Sequence, residues 1–140
     1  MIKRLFPNQQ NIPSINYEKL RVMIEDNKEN VVLDFSAKWC GPCKKLTPVL
    51  EKIAGRYTNI YFYKFDIDKD VDEVKDIYNI SSLPSVLYFN NGQNLPNLRN
   101  EGLVDGFNNI IKSLSKLISL VDNRNEHDVK DEIDQLLKNS

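Results

Sequence analysis

The sequence predicts an α/β domain: a central mixed β-sheet flanked by helices on both faces, with an extra helix at the carboxyl end. Three observations carry this reading. Three apolar runs rich in β-branched and aromatic residues, VVLDFSA, IYFYKFDI and SVLYFN, have the length and composition of core strands. Stretches with apolar residues at helical spacing separate and follow them. The resulting order of strand, helix, strand, helix, strand hairpin and helix implies a mixed sheet covered on both sides. At 140 residues and 41% hydrophobic content, the chain can bury one sizeable core.

Residues 1–11 are polar and irregular. Residues 12–15 form a short first strand, weakened by Pro13. Asn16 caps a helix that begins at Tyr17 and turns Tyr17, Leu20, Met23 and Ile24 inward. Residues 31–37 form the central strand. A long helix covers residues 41–57, with Leu46, Val49, Leu50, Ile53 and Tyr57 on one face. Pro48 lies inside it and kinks it, because proline has no backbone donor. Residues 60–67 are a second core strand. Residues 68–78 read as a short helix with Val71, Val74, Ile77 and Tyr78 inward. Residues 85–90 are the third core strand, and Asn90-Asn91-Gly92 after it is a hairpin turn signal. A strand expected within residues 95–101 is weak, since Pro96 and several polar residues interrupt it. Phe107, Ile110, Ile111, Leu114, Leu117, Ile118 and Val121 mark a strong helix that ends the domain, which spans residues 12–121. Residues 122–140 are an acidic amphipathic extension with a narrow stripe of Val129, Ile133, Leu136 and Leu137. It reads either as a solvated helix packed on the domain or as a docking helix for a partner.

The chemistry lies where the central strand ends. Cys40 and Cys43 are the chain's two cysteines, separated by Gly41 and Pro42 at the start of the long helix. A bridge across two intervening residues closes a tiny loop and removes little unfolded-state entropy, so reactivity explains the pair better than stability does. The attacking species in thiol–disulfide exchange is a thiolate. Unpaired amides and the helix dipole favour negative charge on Cys40 at the helix N-terminus. Cys43 lies one turn further in and more covered, so Cys40 attacks and Cys43 resolves. Zinc usually needs four ligands, and the one other soft ligand is His127, far down the acidic tail, so no metal is expected. Asp34 is an acid inside a buried strand, where a carboxylate is costly. It is either a proton acceptor for Cys43 or a satisfied structural acid paired with Lys64 in the next core strand. Pro84 is either an ordinary strand-start proline or a cis proline that brings backbone beside the thiols.

WCGPC, preceded by VVLDFSAK and followed by a proline five residues on, resembles the thioredoxin family. The resemblance spans residues 15–121 and includes a lysine in the next strand and a hydrophobic-Pro-Ser strand segment ending in NG. It implies the thioredoxin fold and a protein-disulfide reductase, a thiol-disulfide oxidoreductase serving electron transport and cell redox homeostasis. It implies that Cys40 is the nucleophile, Cys43 the resolving thiol, Asp34 the buried acid and Lys64 its partner. Trp39 flanks the site, Pro84 takes the place of the family's cis proline, and Gly41-Pro42 between the cysteines resembles reducing members. Leu83, Ser85, Glu101 and Gly102 stand at the positions of the substrate groove. The partners implied are disulfide-containing proteins and a flavin-dependent thioredoxin reductase that uses NADPH; the chain itself is expected to bind no cofactor. Two departures bear on partner choice: the 92–102 stretch is longer than in typical members, and Glu101 stands where an apolar residue is more usual. A thiol oxidase or isomerase module of a secretory compartment, and a non-catalytic scaffold, are the alternatives.

A net charge of −1 gives no basic surface of the kind nucleic acid needs, and no apolar run approaches the roughly 20 residues of a membrane span. Residues 1–15 lack the apolar core of a secretory signal, so a cytoplasmic location is expected. The same segment carries Lys3 and Arg4 and no acid, which leaves a mitochondrion or another organelle as the alternative.

Overall fold

The computed structural model describes residues 12–69 and 72–139, with residues 72 and 73 as backbone only. Residues 1–11 and Val71, read above as irregular and as inward-facing, lie outside the described residues. Asn16 Oδ1 accepts from the Lys19 amide at 2.8 Å and starts α1 (Tyr17–Arg21), which continues as a π-helical turn, Val22–Asp26. The order is then β1 (Val31–Ser36), α2 (Gly41–Arg56), β2 (Tyr61–Asp66), α3 (Asp72–Ile77), β3 (Ser85–Asn90), β4 (Gln93–Asn94), a 3₁₀ turn (Pro96–Leu98), β5 (Asn100–Glu101), α4 (Asn108–Asp122) and α5 (Glu126–Lys138).

The strands form one sheet in the order β2-β1-β3-β4, with β5 also paired to β3. β1 runs parallel to β2 and antiparallel to β3, so the sheet is mixed and β1 lies inside it. Alternation along β1 divides the core in two. Val32 faces α2, α4 and α5, where it meets Leu46, Leu50, Ile53, Leu114 and Ile133. Val31, Leu33 and Phe35 face α1 and α3, where they meet Leu20, Met23 and Val74. Asp34 belongs by this alternation to the α2 side. The extension is part of the first layer: Val129 and Ile133 of α5 are fully buried in it.

Several elements differ from the sequence reading. The first strand reduces to one parallel bridge between Ser14 and Lys64. Pro13 O accepts from Lys64 N and Ile15 N donates to Lys64 O, both at 2.9 Å, and Pro13 has no amide with which to extend the pairing. The expected inward face of α3 holds for Val74 but not for Ile77, which is 50% exposed. Tyr78, just past the helix, packs inward as expected, its ring centroid 6.0 Å from that of Phe35. Within the expected 95–101 stretch only Asn100–Glu101 is strand, after the 3₁₀ turn at Pro96, and a second two-residue strand, Gln93–Asn94, precedes the stretch. Asn91 and Gly92 make the hairpin with φ of 53° and 81°. Glycine is obligatory at 92, where a Cβ would sit 2.3 Å from Ile24 O.

Candidate active site

The carboxyl end of β1 leads through a short turn, closed by Cys40 N to Ala37 O at 3.1 Å, into the first turn of α2. Cys40 is the N-cap, and its Sγ accepts from the Cys43 amide at 3.2 Å. Gly41 and Pro42 occupy the first two helical positions, where the amide missing from proline would have had no helical partner. Cys40 and Cys43 are joined as a disulfide, with Cα atoms 5.4 Å apart. When the bond opens, the same amide and the helix N-terminus face the Cys40 sulfur and favour its thiolate.

The two sulfurs differ in surroundings rather than in exposed area. Cys40 is 5% and Cys43 3% exposed, so Cys43 is only marginally the more covered of the two in the disulfide state. Both sulfurs are drawn against Ala37, Ile67 and Leu83. Cys40 borders a largely apolar groove with Trp39, Ile67, Ile80 and Leu83. Cys43 borders a different depression, lined by polar and basic side chains. Trp39 is 69% exposed at the groove's rim, where its Nε1 donates to Asp68 Oδ1 at 3.3 Å.

Leu83, just before β3, lines the groove and packs with the cysteines. The Leu83-Pro84 peptide bond is cis. Gly102 N donates to Pro84 O at 2.7 Å, with φ of 71° that favours glycine. Ser85 is buried, and its Oγ donates to Ser82 O at 2.6 Å, so it holds the turn instead of presenting a hydroxyl to the groove. Glu101 pairs with Arg99 at 2.9 Å and lines, with Gly102, a separate depression beside α4.

Asp34 is buried, and neither carboxylate oxygen has a hydrogen-bond partner among the described residues. Lys64 lies directly across in the parallel register, and Val86 across on the other side. The satisfied ion pair expected from sequence is therefore not formed; Lys64 lines the depression beside Cys43. Burial raises the Asp34 carboxyl to about 7, against the opposing pull of the Lys64 charge. A carboxyl poised there can take and return a proton near neutrality.

Sequence reasoning missed Arg99. Its guanidinium donates to Tyr78 O and, at 2.5 Å, to Asn79 O, fastening the segment that leads into the groove wall. No periodicity marks a residue that acts on carbonyls twenty positions earlier. Among the described residues there is no group of three or more His, Cys, Asp or Glu able to hold a metal.

The family model described as Thioredoxin matches residues 11–116. The chain is 37% identical over 83 residues to Thioredoxin H8 of Arabidopsis thaliana, a match covering 59% of this chain and 55% of that one. It is 41% identical over 86 residues to the thioredoxin of Chlamydia trachomatis, covering 61% of this chain and 80% of that one. The chain thus spans little more than half the length of the plant relative. The crystal structure of thioredoxin from Trypanosoma brucei brucei superposes with a TM-score of 0.67 over 83% of this chain and 98% of that one, at 24% identity, which speaks to the fold alone. With its mixed sheet, its Cys-Gly-Pro-Cys helix start and a family match over three-quarters of its length, this chain belongs to the thioredoxin family.

Proposed function

We propose that the chain is a protein-disulfide reductase that cycles between a Cys40/Cys43 dithiol and their disulfide. The observation that carries the reading is the Cys40–Cys43 disulfide at a helix N-terminus, opening on an apolar groove lined by Trp39, Ile67 and Leu83. In the reduced protein the Cys40 thiolate attacks one sulfur of a substrate disulfide. A mixed disulfide forms and the first substrate thiolate leaves. Cys43 gives its proton to the Asp34 carboxylate and attacks Cys40 Sγ. The mixed disulfide breaks, the second substrate thiolate leaves and takes a proton, and Cys40–Cys43 is oxidised. Two electrons have passed to the substrate.

A flavin-dependent thioredoxin reductase using NADPH is the proposed source of electrons for the next cycle. The chemistry suits a compartment that keeps thiols reduced, and we place the protein in the cytoplasm on that ground. The reading is tested by insulin-disulfide reduction coupled to NADPH oxidation through a thioredoxin reductase. Turnover that depends on both cysteines is expected. A folded, reduced protein that leaves insulin intact overturns it.

A further inference from the structure

The depression on the Cys43 side of the disulfide, about 490 Å³, is distinct in charge from the groove on the Cys40 side. Four lysines from separate parts of the chain line it. Lys38 comes from the turn after β1, Lys44 from the first turn of α2, Lys64 from β2 and Lys69 from the segment after β2. One carboxylate, Asp66, faces them, and one of its oxygens is engaged by the Asp68 amide at 2.9 Å. Arg21, Arg56, Arg99, Arg124 and Lys130 form ion pairs, whereas most of the described lysines, inside the depression and outside it, do not. Among the described residues none of the four lysines forms one. The chain carries a net charge of −1, so this local excess of positive charge is set against its overall balance.

Like charges crowded round a concave surface repel one another and raise the local concentration of anions. The position adds meaning. The depression borders Cys43, whose disulfide partner Cys40 opens on the groove, so its positive charge lies beside the point of attack. Lysine is a flexible point charge without the fork of arginine, and no arginine lines the depression. Such a set suits a mobile run of carboxylates better than one fixed phosphate held by paired donors.

We propose that this basic depression is a docking site for an acidic segment of the substrate protein, steering acidic disulfide proteins onto Cys40; the proposal rests on the reductase reading. The test uses three matched peptides, each with one internal disulfide flanked by four Glu, four Gln or four Lys residues. At low salt the Glu peptide is expected to be reduced about tenfold faster than the Gln peptide, and the Lys peptide slower than both. The advantage is expected to fade at high salt, as exposed charges are screened. Lys38→Gln combined with Lys69→Gln brings the Glu peptide down to the rate of the Gln peptide, and leaves the Gln peptide's rate unchanged. Equal rates for all three peptides on the parent protein, or an advantage that survives the double substitution, overturn the proposal.

A second measurement is independent of turnover. A disulfide-free Glu peptide is titrated into the oxidised protein and followed by Trp39 fluorescence. Salt-sensitive binding lost in the double variant supports docking even if no peptide is reduced, an outcome that sinks the reductase reading alone. Inorganic phosphate that displaces the peptide at equal concentration assigns the depression to small anions and overturns the proposal.

Discussion

Tyr57 Oη, just past the helix that carries both cysteines, donates a 2.5 Å hydrogen bond to Glu132 of α5. Arg124 adds two bonds to the same carboxylate, both 3.1 Å, and Arg56 approaches to 3.4 Å. These partners, Arg124 foremost and then Tyr57, hold the Glu132 carboxyl down at about 2. A depressed carboxyl stabilises the fold above its unfolded value of 4.5, and the contribution is lost as pH falls towards 2. Glu132→Gln is therefore expected to lower stability at pH 7 by about 1–2 kcal/mol, with the difference from the parent shrinking in acid. Thermal melts of both proteins across that pH range check it; a constant difference would show that charge is not the cause.

Deleting residues 123–140 removes more than this network. Val129 and Ile133 are fully buried against the layer that includes Leu114 and Leu117, so their loss exposes core. Ile133→Ala alone is expected to cost about 2–5 kcal/mol. The groove beside the disulfide is lined by the turn after β1, the start of α2, Ile67, Lys75 of α3 and the approach to β3, and by no residue of α5. The truncated protein should therefore melt lower yet reduce insulin at near the parent rate per folded molecule. A collapse of that rate with an unchanged melt would assign α5 a part in catalysis or recharging.

Asp34 supplies a pH dependence of the opposite sign. Its folded value of about 7 lies above the unfolded 3.8, so the folded state binds the proton more tightly. Below the unfolded value the group has no effect; from there to about 7 stability falls as pH rises, and it stays low above. Asp34→Asn is expected to melt higher than the parent at pH 8, and the gain should shrink towards pH 4. In the proposed mechanism the same variant lacks the proton acceptor for Cys43, so release of the mixed disulfide is expected to slow. Equal release rates would leave Asp34 a costly buried acid without a role in the reaction.

How much of this was legible in the sequence depended on distance along the chain. β1, β3 and α2 were readable because apolar runs and turn residues are local signals, and α5 because its stripe has helical period. The cysteine pair and Asp34 lie within ten residues of one another, so strand alternation and a helix start sufficed to relate them. Ile77 was misplaced because a six-residue helix is too short for period to fix its face, while Tyr78 just beyond it was placed inward correctly. Arg99 on Tyr78 and Asn79, Tyr57 on Glu132, and the lysines gathered from residues 38–69 are products of tertiary folding. No local pattern encodes them.

The sharpest test of the division of labour is Cys43→Ser. Both sulfurs are nearly buried in the disulfide, so exposed area does not assign their roles. What each borders supports the proposed roles. Cys40 faces the apolar groove with Leu83 and Trp39, where a substrate disulfide can lie, and the Cys43 amide already points at its sulfur from 3.2 Å. Cys43 borders the basic depression on the far side of the pair. Serine at 43 leaves the first attack intact and removes the second. The variant should accumulate mixed disulfides through Cys40, which disappear on adding reductant. Cys40→Ser should trap nothing, since Cys43 does not open on the groove. Non-reducing electrophoresis of both variants against cell extract, with mass spectrometry of the shifted bands, reads the result. Adducts with Cys40→Ser but not with Cys43→Ser would reverse the two roles. No adduct with either, in protein shown to be folded and reduced, would turn the site into a scaffold feature and end the reductase reading.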